Sequence, residues 1–271
     1  MKRKLTYLSI FFAIVCIVLY AITSDFKKTE ATIYINGTII TIDSLQPSAE
    51  AMFVKDGIIA AIGNTIDIEK LATSNTKIID LQNKTVLPGF IDSHTHVALS
   101  SFLNKMIDLS GFKHANNKEV WDYLKEQIQS KKEGEWILCK GIDPILVEDL
   151  ITPNIHFLDS IAPNNPILLI SQSLHTYWAN SKTFKKAGIT KETIDPSANS
   201  YYEKDSTGNL TGVITEQEAF TPILNVLKEE VLTSNFLIDA TTQTLKAYAK
   251  NGNTTVVSAG LTINDAKPLR L

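Results

Sequence analysis

Apolar residues fall into one long run near the start of the chain and a series of shorter runs after it. The long run extends over Leu5–Ile22, 18 residues without a charged side chain. Further along, apolar residues recur every three or four positions, as at Val120, Leu124 and Ile128, between short continuous apolar runs. Helical spacing that alternates with short buried strands is typical of an α/β fold, and we expect this stripe to lie in the core.

The long N-terminal run predicts a segment that is directed to a membrane. Basic residues occupy positions 2–4 before it, and as a helix the run spans about 27 Å, close to the roughly 30 Å of a bilayer core. The basic flank is expected to stay in the cytoplasm, so the rest of the chain is exported. Residues 5–22 are then either a retained membrane anchor or a secretory signal with a poor cleavage site at 21–23. A buried helix of a soluble protein is the third interpretation.

Residues 31–85 predict a small antiparallel β-sheet. Two β-rich runs are divided by turn dipeptides, Asn-Gly at 36–37 and Asp-Gly at 56–57. Such dipeptides between β-branched residues are strong signals of two-residue hairpins. A further short strand is predicted at Ile78–Leu81.

Beyond residue 100 the pattern alternates between helices and buried strands. One helix start is marked by a threonine cap followed by a proline, which suits the first helical position. The predicted helices cover Asn117–Lys131, a segment from Thr152-Pro153, Ser181–Ala187 and Phe236–Lys250, and the predicted strands cover Trp136–Lys140, Pro166–Ser171 and Thr254–Ser258.

The composition excludes some classes of protein. Hydrophobic residues make up 44% of the chain, which is enough to bury a core. The net charge of -3 leaves no basic excess for contacts with phosphates, so we expect no nucleic-acid binding. Two cysteines, Cys16 and Cys139, cannot form a disulfide framework or a cysteine-rich zinc site. Cys139 falls in a predicted buried strand and is expected to be unreactive.

A His-x-His pair at the end of an apolar strand is the main candidate for chemistry. Alternate side chains of a strand share a face, so Asp92, His94 and His96 are expected to point the same way at its carboxyl end. Two neutral imidazoles there can bind one divalent metal ion. Taken alone, the pair is also compatible with polar histidines at an ordinary strand end.

The segment Leu87–His96, which reads LPGFIDSHTH, resembles the first-strand signature of the metal-dependent amidohydrolase superfamily. Later segments resemble motifs of amidohydrolase family 3, which includes N-substituted formamide deformylases. These segments are Trp136–Gly141, His175–Ser181, Asp205–Glu216 and Thr254–Gly260. The resemblance runs over roughly residues 32–260, with the motifs in compatible order and spacing.

The resemblance implies an α/β fold that begins a TIM-type (β/α) barrel, with the barrel incomplete in this chain. Together with the apolar N-terminal run, the resemblance gives an expected organisation of a membrane anchor or signal at 1–28, a small β-sandwich segment at 29–85, the first barrel strand at 86–102, an α/β insertion at 103–245, and the region of the second barrel strand at 246–271.

The resemblance also implies roles for individual residues. His94 and His96 would bind a divalent metal, with zinc expected, and Asp92 would support these ligands without binding the metal itself. His175, Trp178, Asp143 and Glu216 would face a substrate pocket. The alternatives are a packed strand for His175 and Trp178 and a structural or helix-start carboxylate for Glu216.

The function implied by the resemblance is metal-dependent hydrolysis of a C–N bond in a small amide-type molecule. The family's other metal ligands and its base aspartate come from later strands and have no counterpart here, so no catalytic residue is assigned. We therefore expect a truncated or fragmentary form, membrane-anchored outside the cytoplasm, or secreted or periplasmic if the signal is cleaved. The alternatives are a catalytically inactive remnant and a membrane-tethered binding domain.

Overall fold

The computed structural model of the chain describes residues 30–260, in two compact units that divide between Gly89 and Phe90. The membrane-directed segment predicted at 5–22 lies outside the described residues. Within residues 30–260, no helix is both long enough and apolar enough to cross a bilayer.

The first unit contains two small β-sheets and one short helix. Its elements are β1 (Ala31–Ile35), β2 (Thr38–Ile40), β3 (Ser48–Ala49), β4 (Ala51–Lys55), β5 (Ile58–Gly63), α1 (Thr65–Glu69), β6 (Thr76–Asp80) and β7 (Thr85–Val86). One sheet has the strand order β5-β4-β1-β6 and the other has the order β3-β2-β7. Ile33, Ala51 and Ile68 form the small core of this unit.

The two predicted hairpins of this unit have different outcomes. The Asp56-Gly57 hairpin is confirmed, because β4 pairs antiparallel with β5 and both turn residues have positive φ. The hairpin at Asn36-Gly37 is wrong, since β1 pairs with β4 and β6 while β2 belongs to the other sheet. A side chain at Gly37 would overlap the Leu81 side chain, so this glycine allows a close crossing between the sheets. The first sheet is also mixed rather than antiparallel, because β6 runs parallel to β1.

The second unit combines a two-stranded and a six-stranded sheet with six helices. Its elements are β8 (Phe90–Thr95), α2 (Val97–Leu103), β9 (Ile107–Asp108), α3 (Asn117–Gln129), β10 (Ile137–Ile142), α4 (Ile155–Ile161), β11 (Ile167–Ser171), β12 (Thr176–Ala179), α5 (Ser181–Lys186), β13 (Tyr201–Lys204), β14 (Leu210–Thr215), α6 (Glu216–Glu230), α7 (Ser234–Lys250) and β15 (Asn253–Ser258). The larger sheet has the order β13-β14-β12-β11-β10-β9, with the last three strands parallel to one another.

The six-stranded sheet is buried on both faces. Successive residues of β11 point to opposite faces, so Leu168 and Ile170 pack in one core while Ile167 and Leu169 pack in the other. Helices α5 and α6 contribute to the first core, and α3 contributes to the second. Covering on both faces explains why β11 is a continuous apolar run rather than an alternating one.

The two-stranded sheet joins β8 to β15 in parallel, with the backbone NH of Phe90 donating to the Gly252 carbonyl at 2.9 Å. Helix α7 leads directly into β15 and packs against α2. This is a strand–helix–strand arrangement of the kind that builds barrels, and the described residues 30–260 do not close one. The observed fold is therefore mixed α/β.

Some predicted boundaries were wrong by two residues. Helix α4 begins at Ile155 rather than at Pro153, because the Asn154 side chain caps it by accepting from the Phe157 NH at 2.9 Å. Helix α7 begins at Ser234, two residues before the predicted start, with Thr233 as its cap.

Asn180 is a fully buried junction between α5, β11 and the segment after α4. Its Oδ1 accepts from the backbone NH groups of Thr183 and Ile167, at 3.0 and 3.2 Å. Its Nδ2 donates to the carbonyls of Ala162 and Asn165, at 3.2 and 2.9 Å. All of the amide's hydrogen-bonding groups are therefore used, where water cannot replace them.

We predict that Asn180→Ala lowers the free energy of unfolding by about 2–4 kcal/mol, because it leaves several buried polar groups unpaired. The matched control is Asn154→Ala, which removes an exposed helix cap and should cost about 1 kcal/mol. Urea unfolding followed by circular dichroism measures both variants. Equal losses would show that Asn180 acts only as a cap.

We also predict that the Cys139 thiol does not react in the folded protein. Burial in the core raises the pKa of Cys139 well above its ordinary value, so little of the reactive thiolate is present. In a Cys16→Ser variant, a disulfide reagent at mildly alkaline pH should label Cys139 only after unfolding in urea. Rapid labelling of the native protein would contradict the burial of this strand.

Candidate functional site

The carboxyl end of β8 presents two imidazole rings on one side of the strand. His94 and His96 are both exposed, and their ring centroids lie 5.3 Å apart in a T-shaped arrangement. Between them, Thr95 points the other way and is buried, with its hydroxyl 2.8 Å from the hydroxyl of Tyr248 in α7. The alternation of the strand thus anchors one face to a helix and frees the other face for ligands.

Hydrogen bonds fix the position of this strand end. The Ala259 NH donates to the Thr95 carbonyl at 2.7 Å, which ties the ends of β8 and β15 together. The Nδ1 atom of His96 lies 3.2 Å from the Ala259 carbonyl oxygen. That contact places the proton on Nδ1, so Nε2 carries the free lone pair. Asp92 is half-buried and accepts from the His94 NH at 3.2 Å, so it shapes the strand end.

The separation of the two rings can be compared with that of imidazoles on a shared metal ion. Imidazoles that bind one tetrahedral ion through nitrogens at about 2.0–2.1 Å have centroids about 5 Å apart, close to the separation of His94 and His96. Within residues 30–260, no group of three or more histidine, cysteine, aspartate or glutamate side chains is arranged to hold a metal. The described residues therefore place two imidazoles side by side, with no larger group of such side chains around them.

A second polar feature joins two of the sequence motifs. His175 precedes β12 and Glu216 begins α6, and the Nδ1 atom of His175 lies 3.0 Å from Oε2 of Glu216. The backbone NH of Glu216 also donates to the His175 carbonyl at 2.8 Å. Both side chains are largely exposed, and such surface pairs contribute only about 0–1 kcal/mol to stability.

Strained backbone surrounds this pair. Leu174 and Glu216 have φ of 67° and 66°, in the left-handed region that is unfavourable for residues with these side chains. Such conformations cost about 1–3 kcal/mol each, more than the exposed pair returns. The Tyr177 hydroxyl donates to the Leu174 carbonyl at 2.7 Å and helps to hold the turn. Burial, together with the Glu216 carboxylate, raises the pKa of Tyr177, so this hydroxyl stays protonated as a donor.

The other predicted pocket residues lie elsewhere. Trp178 is buried in the core that α3 covers, because the strand alternation of β12 sends it to the face opposite Tyr177. Asp143 is half-buried and accepts from the Ile145 NH at 2.8 Å, in the turn after β10. The structure therefore brings His175 and Glu216 together, and separates Trp178 and Asp143 from them.

Several motif residues have structural roles instead. Gly141 has a φ of 86°, and a side chain there would overlap Ser110, so it permits the close approach of two strand ends. The Ser181 hydroxyl donates to Asp159 at 2.6 Å beside the buried Asn180. The Asp205 carboxylate accepts from the NH groups of Thr207 and Asn209 and forms the turn between β13 and β14.

Sequence reasoning predicted a pocket at His175 and Glu216 but missed the apolar residues that line the cavity beside them. The cavity has a volume of about 390 Å³, and α2 and α6 contribute most of its lining. Tyr177 could have been found, because it lies two residues after His175, in the strand β12 that His175 precedes. The leucines and phenylalanines of the two helices carried no signal beyond ordinary core spacing.

Comparisons with known proteins bear on the family and the fold of this chain. The sequence profile of the amidohydrolase family matches residues 77–270. The N-substituted formamide deformylase of Arthrobacter pascens is 31% identical over 185 residues, which cover 68% of this chain and 34% of that protein. The putative amidohydrolase YtcJ of Bacillus subtilis (strain 168) is 28% identical over 211 residues, which cover 74% of this chain and 39% of that protein. The chain thus spans well under half the length of these relatives.

Solved structures show the same fold. An uncharacterized metal-dependent hydrolase from Pyrococcus horikoshii OT3 superposes with a TM-score of 0.66 at 22% identity, over 89% of this chain and 45% of that chain. The match of the family profile covers more than half of the present chain. The chain therefore belongs to the amidohydrolase family, a family of hydrolases.

Proposed function

We propose that this chain supplies His94 and His96 as metal ligands in an enzyme that hydrolyses a C–N bond of a small amide-type molecule. The observation that carries the proposal is the imidazole pair at the carboxyl end of β8, with centroids 5.3 Å apart. Family membership and the name of the deformylase relative support the reaction class. Zinc is the proposed metal, because neutral imidazoles are among its usual ligands and its catalytic sites keep one position open for water.

The chain's own residues prepare the site for such chemistry. When bound, a divalent metal activates water for attack and polarises the scissile carbonyl. The Ala259 carbonyl holds the His96 ring in the tautomer that leaves Nε2 free. Asp92 orients the backbone at His94 and stays outside the ligand set. The buried Thr95–Tyr248 contact prevents the strand end from rotating, so both rings keep their common side.

We propose further that the protein acts outside the cytoplasm, either anchored in the membrane or released by cleavage of the signal. Support for this location comes from the sequence alone, from the basic positions 2–4 followed by the apolar run at 5–22. N-terminal sequencing of the exported protein distinguishes the anchor from the cleaved signal.

We predict that the full chain binds Zn²⁺ through the two histidines. His94→Ala and His96→Ala should each weaken zinc binding by about tenfold or more, because one of two imidazole ligands is lost. Isothermal titration calorimetry measures the affinities. His156→Ala is the matched control, since His156 is exposed on α4 and lies far along the chain from the pair. Equal affinity in all four proteins would contradict the site.

Hydrolysis is tested separately from metal binding. Zinc-loaded protein is incubated with N-substituted formamides and N-acyl amides, and the released amine is measured. We expect any turnover to disappear in His94→Ala and to persist in His156→Ala. Zinc binding without release of amine would favour a non-catalytic protein over the enzyme.

A further inference from the structure

The cavity between α2 and α6 has the size and lining of a ligand site. Its volume of about 390 Å³ lies in the range of small-molecule pockets, which are mostly apolar with a few convergent polar groups. The apolar part of the lining includes Leu99, Phe102, Leu103, Tyr177, Phe220 and Leu224. Besides Tyr177, the ionisable side chains that line it are His175 and Glu216.

Helix α2 links the imidazole pair to the cavity. Helix α2 starts at Val97, directly after His96, and its third residue, Leu99, already lines the cavity. Three residues of an α-helix advance about 4.5 Å along its axis. Leu99 at the cavity and His96 at the end of β8 therefore lie within one helical turn of each other along the chain.

His175 and Glu216, the polar pair of the cavity, are held in place by backbone contacts as well as by the contact between their side chains. Glu216 and His175 are joined both through their side chains and through the backbone. Leu174 and Glu216, both of which line the cavity, are two of the three non-glycine residues with positive φ described in the second unit. Backbone strain that the surroundings maintain in this way is typical of ligand clamps.

The lining also indicates the chemistry of the ligand. Tyr177 and Phe220 stack with centroids 4.2 Å apart and planes inclined by 6°, so the cavity wall includes a pair of aromatic rings. With the Nδ1 proton of His175 directed to Glu216, the pair offers hydrogen-bond acceptors at His175 Nε2 and at the remaining carboxylate oxygen. The complementary ligand has a flat apolar group next to an N–H donor.

We propose that this cavity is a specificity subsite that receives the apolar N-substituent of a secondary amide, with His175 and Glu216 accepting the amide N–H. The inference rests on the proposed function for the identity of the substrate, because that function supplies the amide. The subsite itself contains no metal ligand, so its binding is measured independently of hydrolysis.

Three probes test the subsite with the full chain in the presence of a chelator. N-benzylacetamide has both the flat group and the N–H, N-benzyl-N-methylacetamide lacks the N–H, and acetamide lacks the apolar group. Ligand-observed NMR and calorimetry should show millimolar binding of the first, binding about fivefold weaker or less for the second, and none for acetamide. No binding of N-benzylacetamide would overturn the proposal.

Two variants locate the binding in the cavity. Leu99→Trp fills the cavity and should weaken N-benzylacetamide binding about tenfold. Leu245→Trp is the control, because Leu245 lies on α7 away from the cavity lining and is 40% exposed, against 42% for Leu99. Glu216→Gln should weaken N-benzylacetamide binding about threefold and leave the N-methyl compound unchanged. Circular dichroism confirms that each variant is folded.

The outcomes separate this proposal from the proposed function. Wild-type affinity in Leu99→Trp, or equal weakening in both tryptophan variants, would overturn the subsite even if zinc binding and turnover are present. Binding of N-benzylacetamide that depends on Leu99 and Glu216 supports the subsite even if the histidine pair binds no metal.

Discussion

The alternation of side chains along buried strands is the constraint on which the second unit depends. In β11 and β12 each residue must face one of two covered surfaces, so a shift of one position would move every side chain into the wrong core. The same rule directs Tyr177 to the cavity side and Trp178 to the opposite core. At the end of β8 it divides Thr95, which is buried against α7, from the two exposed histidines that flank it. Core and candidate site therefore follow from one geometric property of strands.

Buried polar groups then fix how these strands meet the helices. Asn180 satisfies groups from β11, α5 and the segment after α4, and its neighbour Ser181 is held by Asp159. A structural role of this kind restricts the residue type at a motif position as strictly as a role in binding a ligand would. Resemblance to a family motif thus identifies a position without distinguishing structural roles from chemical ones.

The sequence allowed the elements to be predicted better than their pairing. Helices α3 and α7 and strands β10, β11 and β15 were predicted within a few residues, because hydrophobic periodicity depends on local spacing. The Asn36-Gly37 turn was misjudged, because its partner strands are chosen by distant contacts with β4, β6 and β7. His94 and His96 could be identified as a pair from their spacing alone. The contact of His175 with Glu216 joins residues 41 positions apart and needed the tertiary structure.

Glu216 combines a strained backbone conformation with a side chain at the cavity. It opens α6 in a left-handed conformation, and its carboxylate lies at the rim of the α2–α6 cavity. A glycine at this position would relax the backbone and remove the carboxylate in the same step. Stability and recognition therefore oppose each other at a single residue, so a search for stabilising substitutions would select against the ligand contact.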